Sequence, residues 1–420
     1  MKITVSSPDG LGDFILRLPM LTALRDAGHI LQLLMRRPAA DLAAFVFPDA
    51  EIHLIGPDPY HPATRKKTNP FKAEHRAIHR FGPDVYVAAL FHLNFFDQIW
   101  IERGNRGGRL AGFTCNEDGW SSNTTCHPLE LSRQFSIAVP VTRDLPEVEK
   151  NHLLTNAMLE RIVDPVAPHL EPSPAAFGDA RALLHRHGLR EGGYWIACVG
   201  TRKGIDAKDW GEKNWMKFFD EALSGRALLF LGNPKESPSV DRIRNGMSSG
   251  SQTVSLAADP PAIPLSLALI ALSAGYVGRD SGVMHMAAAM GRPLLAIFAG
   301  GHWGRFLPVT KSGVVVTQDW PCRGCEFCCA HDDAQCIRSV PMSTMIAGWH
   351  ILQNQSSDGL RVLEIPLPAE QFEKIARVAS RKYAKVFQEF ERWKSDQQRP
   401  INGLDALGMR LRLWARKKSL

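Results

Sequence analysis

No stretch of this chain is apolar for long enough to cross a bilayer. The most apolar run, PLSLALIALSAGYVG (264–278), has 15 residues and many small ones, short of the ~20 that a membrane helix requires. The amino-terminal MKITVSSPDGLGDFILRLPML lacks the apolar core of a secretory signal, because Asp9, Asp13 and Arg17 interrupt it. Low-complexity tracts are absent as well, so a soluble, cytoplasmic protein is the expectation. Two nucleotide-binding signatures are also missing after the first apolar segment, in SSPDGLGDF. A dinucleotide fingerprint needs a third small residue where Ile15 stands, and a P-loop needs a Gly-Lys-Ser/Thr that is not there. Cysteine is sparse outside one place. Cys115, Cys126 and Cys198 are scattered, whereas Cys322, Cys325, Cys328, Cys329 and Cys336 crowd into 15 residues. In a reducing compartment that cluster points to a metal site or redox pair before a disulfide framework.

What is present is an ordinary globular composition, 45% hydrophobic and 22% charged over 420 residues, long enough for two domains and an appendage. Short β-rich runs alternate with helical patterns: KITV, then FILRLPMLTALRDAGH, then ILQLLMR, followed by EIHLIG and DVYVAAL. After four prolines between 165 and 174, a second series begins with FGDARALLHRHGL and YWIACVG and closes on LLAIFAG. This alternation predicts two doubly wound α/β halves with parallel sheets, and a ligand cleft at the carboxyl ends of the strands. The expected boundaries are 1–165 for an acceptor-binding Rossmann-like domain and 166–350 for a nucleotide-sugar-binding one carrying the Cys-rich loop 322–336. Residues 351–420 are expected to form C-terminal helices and a basic tail.

The net charge of +7 belongs to that tail. Residues 371–420 hold thirteen Lys/Arg against five Asp/Glu, so the basicity speaks of a surface partner and not of the core. The cations sit in one terminal segment without an aromatic-studded basic strand, which argues against a nucleic-acid partner. From Glu373 to Trp393 apolar residues recur at helical spacing, which predicts a helix packing back across both halves. The final MRLRLWARKKSL mixes Leu and Trp with five cations, the make-up of a segment for an anionic membrane face.

Three stretches carry chemistry. In SSPDGLGDF, Gly10 and Gly12 allow close backbone approach to a ligand. Asp13, at a helix start after a strand, is either a helix-dipole acid or a general base. In CVGTRKGIDAKDWGEKNW, Thr201, Arg202, Lys203 and Lys208 offer donors suited to a diphosphate. In VGRDSGVMHMAAAMGRPLLAIF, Ser281 and Gly282 open a helix whose free N–H groups and dipole suit phosphate oxygens. Asp280 accepts only, and so prefers sugar hydroxyls. His285 lies one turn on and adds a donor. An acid beside an anion site fits a ligand with both a polyol and a phosphate, such as a nucleotide sugar.

These motifs resemble glycosyltransferase family 9, the ADP-heptose:lipopolysaccharide heptosyltransferases. GLGDFILRLPMLTAL is similar to the family's opening, and GRDSGVMHMAAAMGRPLLAIF to its Gly-Asn-Asp-Ser-Gly-x-x-His block, with Arg279 for the common Asn. KDWGEKNW is similar to its Lys-x-Trp-Pro-x-x-x-Trp motif, with Gly211 for Pro. AGGHWGRFLP replaces the usual Gly-Pro-Thr-Asp-Pro text, and the insert EDGWSSNTTCHPLELSRQF matches nothing in the pattern. The resemblance implies a GT-B fold and inverting, metal-independent transfer of heptose from ADP-heptose to a lipid-linked core saccharide. By motif, Asp13 would be the base and Lys208 the cation that neutralises the leaving diphosphate. Asp280 would hold sugar hydroxyls, with Thr201, Ser281, Gly282 and His285 at the phosphates and Glu236 near the adenosine. The rival expectations are another nucleotide sugar, a protein acceptor or a Cys-cluster nucleic-acid binder. The spacing of Cys322, Cys325, Cys329 and Cys336 suits a structural zinc or iron, or reduced structural thiols; no cofactor is expected in the chemistry itself.

Overall fold

The computed structural model describes residues 1–65, 67, 69–91, 93–114, 134–201, 207–248, 250–325, 327, 329, 331, 333–354 and 359–396. Cys115, Cys126, Arg202, Lys203, Cys328, almost all of the 117–135 insert and the basic end beyond 396 lie outside the described residues. The chain divides into two units. One holds Met1–Val166 and takes in the far part of the C-terminal helix from Ser380; the other holds Ala167–Ala379.

The first unit is a six-stranded parallel sheet: β1 (Lys2–Ser7), β2 (Ile30–Met35), β3 (Glu51–Leu54), β4 (Val85–Ala88), β5 (Arg109–Thr114) and β6 (Ile137–Pro140), in the order β3-β2-β1-β4-β5-β6. Strand order reverses between β1 and β4, which creates the crevice where such sheets bind ligands. The Leu11–Asp26 helix crosses back from β1 to β2, burying Phe14, Ile15, Leu18, Met20, Leu21 and Leu24. A stripe of apolar side chains at this spacing faces the core. Arg17 interrupts it yet is almost wholly buried, paired with Asp9 at 2.9 Å and donating to Ala89 O at 2.9 Å and to Ser7 Oγ. One guanidinium therefore ties the loop after β1 to the end of β4 across the crevice.

The second unit is a seven-stranded parallel sheet: β7 (Tyr194–Cys198), β8 (Ala227–Phe230), β9 (Thr253–Ser255), β10 (Gly275–Arg279), β11 (Leu294–Ile297), β12 (Ser312–Gln318) and β13 (Gly359–Ile365). Its order is β13-β12-β11-β10-β7-β8-β9, so the reversal falls between β7 and β10. Ser173 caps the Pro174–Arg186 helix with Pro174 at its first position, where a proline's missing N–H goes unneeded. Trp195, Trp210, Trp215, Phe218, Phe219 and Trp349 fill the core on one face of this sheet.

β13 corrects the reading of 351–420 as helices and tail alone. GLRVLEI is an edge strand, half exposed and carrying Arg361 and Glu364, so it has no apolar run to announce it. The C-terminal helix is present as Ala369–Asp396; Ile375 packs with Trp320 and Leu367, while Val378 is exposed. Its side chains from Tyr383 onward lie outside the described residues.

The Arg17–Asp9 pair makes a stability prediction. Arg17→Leu strands a buried carboxylate and is expected to lower unfolding free energy by about 3–5 kcal/mol. Adding Asp9→Asn should restore part of the loss, as read from urea unfolding curves.

Candidate active site

In the second unit, the sequence motifs converge on the β7/β10 reversal. β10 ends on Arg279, Asp280 follows it, and Ser281 leads into the Gly282–Ala289 helix. Ser281 is the N-cap: its Oγ accepts from Met284 N at 3.3 Å and lies 3.1 Å from the Tyr276 hydroxyl, which itself donates to Arg279 O at 2.6 Å. The hydroxyl is thus spent on building the helix start. The free N–H groups of the first turn, with the positive dipole end, make this turn suited to anions.

Lys208 and Asp280 are 72 positions apart, and Lys208 Nζ donates to Asp280 Oδ2 at 2.5 Å. Lys208 owes its place to Trp210. That indole is 99% buried, donates Nε1–H to Val340 O at 2.9 Å, and meets Trp215 edge-on at 5.0 Å. The two tryptophans of KDWGEKNW are therefore core anchors, and the lysine is what they hold up. Between them, Gly211 has φ 104°, which the fixed ring of proline cannot reach. The exchange of Pro for Gly at this position thus marks a different backbone at the helix entry.

Burial pushes the Asp280 carboxyl up, but Lys208, with His285 and His302 near, outweighs it and holds the group below the ordinary carboxylate range. Burial acts the other way on His285, lowering it to about 4 against the opposing pull of Asp280. At neutral pH this is an uncharged imidazole, a donor or acceptor but not a second cation.

Glu236 and Arg279 form a second buried pair at 2.6 Å. Glu236 Oε2 also accepts from Asn233 N at 3.2 Å, so both its oxygens have protein partners beneath the end of β8. Thr201, just past β7, has its hydroxyl 3.3 Å from Ser239 Oγ, which donates to Glu212 at 2.7 Å. Sequence reasoning named Arg279 only as a departure from a pattern. It missed Tyr276 and Ser239, whose roles rest on contacts that no spacing encodes.

In the first unit Asp13 occupies the third position of the Leu11–Asp26 helix and accepts from Gly10 N at 3.1 Å. Gly10 is the N-cap residue and Gly12 lies in the first turn. Beside the same crevice, Asp97 is fully buried and accepts from the Tyr86 hydroxyl at 2.6 Å; burial raises it to about 6. Nothing in the sequence reading singled out Asp97.

The cysteine loop follows β12. Burial pushes Cys322 and Cys325 up to about 12, with neighbouring thiols adding to the shift, and Cys336 Sγ accepts from Gly300 N at 3.4 Å. Among the described residues no three His, Cys, Asp or Glu side chains gather around one point as metal ligands would. As placed, Cys322, Cys325, Cys329 and Cys336 do not form the tetrad that their spacing suggested.

His285 generates a pH prediction. Its folded value is depressed below the unfolded one near 6.5, so below that pH the unfolded chain binds the extra proton and stability falls. The loss from this residue is on the order of 2 kcal/mol by pH 5. His285→Gln should flatten the dependence of unfolding free energy on pH between 6.5 and 4, leaving a residual slope to which His75, also lowered to about 4, contributes. Equal slopes in urea titrations of the two proteins would contradict this.

Comparison with known proteins gives this geometry a context. A family model described as glycosyltransferase family 9 (heptosyltransferase) matches residues 119–329, about half of the chain. The chain is similar to lipooligosaccharide heptosyltransferase 2 of Haemophilus ducreyi, 23% identical over 344 residues, covering 75% of this chain and 88% of that protein. Among solved structures, it resembles the glycosyl transferase family 9 protein of Veillonella parvula, with a TM-score of 0.59 and 15% identity over 84% of this chain and 98% of that one. It also resembles ADP-heptose lps heptosyltransferase II of E. coli, with a TM-score of 0.58 and 16% identity over 85% of this chain and 100% of that one. These likenesses give the two Rossmann-like units as a GT-B fold. With a family model matching half of its length and a GT-B fold beneath the site, this chain belongs to glycosyltransferase family 9 and is a glycosyltransferase.

Proposed function

We propose that the enzyme transfers heptose from ADP-heptose, with inversion, to a hydroxyl of a lipid-linked saccharide of the lipopolysaccharide inner core. The observation that carries the reading is the Lys208–Asp280 pair at the start of the Gly282–Ala289 helix. One site there offers a cation and free N–H groups for a diphosphate, and a carboxylate for sugar hydroxyls.

The chemistry follows from charge. Asp13 takes the proton from the acceptor hydroxyl, and the oxygen attacks the anomeric carbon from the side opposite the diphosphate. The bond to the diphosphate breaks, and the charge that leaves with it is met by Lys208 and the N–H groups at Ser281–Gly282. Asp280 holds sugar hydroxyls, and His285, neutral at pH 7, contributes a hydrogen bond without adding charge. Thr201 lies near the phosphates. Glu236, tied to Arg279, stands at the nucleotide end of the site, near the adenosine. Gly10 and Gly12 let the acceptor approach the backbone beside Asp13.

The cations of residues 394–420 suit the anionic cytoplasmic face of the inner membrane, where a lipid-linked acceptor resides. Among the described residues no helix is long and apolar enough to cross a membrane. Sequence spacing alone argues for a structural zinc or iron on Cys322, Cys325, Cys329 and Cys336. The described donors as placed do not fit it, and no step of the transfer passes through it.

Two measurements test the reading. Asp13→Ala should lower kcat by roughly 10²–10⁴-fold while leaving ADP-heptose affinity within about twofold; unchanged turnover rejects Asp13 as base. In transfer assays, ADP-heptose should outrun UDP- and GDP-sugars, and a preference for a non-adenine donor overturns the assignment.

A further inference from the structure

The cysteine loop and the Gly300–His302 turn are the two features that the transfer chemistry leaves unused, and they meet at one side chain. Phe327 lies in the cysteine loop with φ 61°, the left-handed region that glycine and asparagine adopt readily and a bulky residue does not. Its ring lies against Gly301, where a Cβ would come within 2.5 Å of it. It meets the His302 ring edge-on at 4.6 Å. On the other partner, Lys208 Nζ sits 5.3 Å from the centre of the Phe327 ring, 119 positions away in sequence. The loop is stitched in place by Gly324 N donating to Gly300 O at 2.9 Å and Gly300 N donating to Cys336 Sγ at 3.4 Å. Its base is pinned where Arg323 pairs with Glu364 of β13 at 2.7 Å.

We propose that Phe327 is a positioning residue for Lys208: its ring packs on the ammonium and, together with Asp280, fixes where that charge meets the donor's diphosphate. Strained backbone that persists is held by its surroundings, and such strain gathers at functional sites. A glycine here would relieve the backbone and lose the ring. Lysine's four-carbon stem is flexible, and a carboxylate alone fixes one contact of three possible donors. An aromatic face adds an attraction that does not neutralise the charge, so the ammonium stays available to phosphate oxygens. Cys336, whose Sγ accepts from Gly300 N, helps to hold the turn against which the ring rests. This inference rests on the reading of Lys208 as the diphosphate's cation.

The test is a cycle of variants read by ADP binding in calorimetry and by kcat/KM with ADP-heptose. Phe327→Leu keeps bulk and loses the π face; it should weaken ADP binding and kcat/KM by about three- to tenfold. Phe327→Tyr keeps the face and should stay within about twofold of the parent. Gly301→Ala pushes the ring aside while residue 327 stays phenylalanine, and should reproduce the Leu loss. In a Lys208→Ala background, Phe327→Leu should change ADP binding no further. A Leu loss that survives without Lys208, or a Leu variant indistinguishable from Tyr, overturns this proposal alone. Undiminished ADP binding by Lys208→Ala overturns the donor reading and this proposal with it.

Discussion

The ion pair between Lys208 and Asp280 organises the second unit's chemistry, because each partner is anchored by a different part of the fold. Asp280 comes from the end of β10, whose backbone is locked between β7 and β11. Lys208 is fixed by Trp210, which is itself clamped in the core by Trp215 and by Val340. A pair this short on rigid supports keeps the carboxylate ionised despite burial, since the lysine's pull outweighs desolvation. Both the sugar-binding and the phosphate-binding halves of the proposed site depend on that balance.

The two units solve a similar problem with different charges. At the β1/β4 reversal a buried guanidinium, Arg17, secures the loop that leads to Asp13. At the β7/β10 reversal a buried carboxylate, Glu236, secures Arg279 next to Asp280. In each case an ion pair beneath the crevice fixes the backbone from which a side chain of the proposed site projects. Pairs of this kind contribute little net stability compared with apolar packing, but breaking one strands a charge. They specify geometry more than they stabilise.

Much of the plan could be read along the chain. Period-two and period-3.6 patterning marked the first strands and helices of each half. The Asp-Ser-Gly-x-x-His block announced a helix start with an acid before it, and Ser281 is indeed a cap. What escaped included β12, a buried Val-rich strand beyond LLAIFAG, with which the series was read as closing, and two weak patterns: β9 is three residues long and β13 is a half-exposed edge. The Lys72–Phe81 helix was also overlooked, for its sequence KAEHRAIHRF is mostly charged and polar. The cysteine spacing suggested a tetrad; the described thiols lie near enough to influence one another, yet among the described residues no three are arranged as metal ligands.

By itself the sequence determined two parallel sheets and the helix start at Ser281–Gly282, and it singled out the acid and lysine of the proposed site. These are local matters, governed by patterning and by backbone groups a few residues apart. Tertiary structure alone decided that Lys208 meets Asp280, that Glu236 meets Arg279 and that Phe327 reaches Lys208. Those contacts join residues 43 to 119 positions apart, and only the order in which strands lie side by side brings such distant positions into reach.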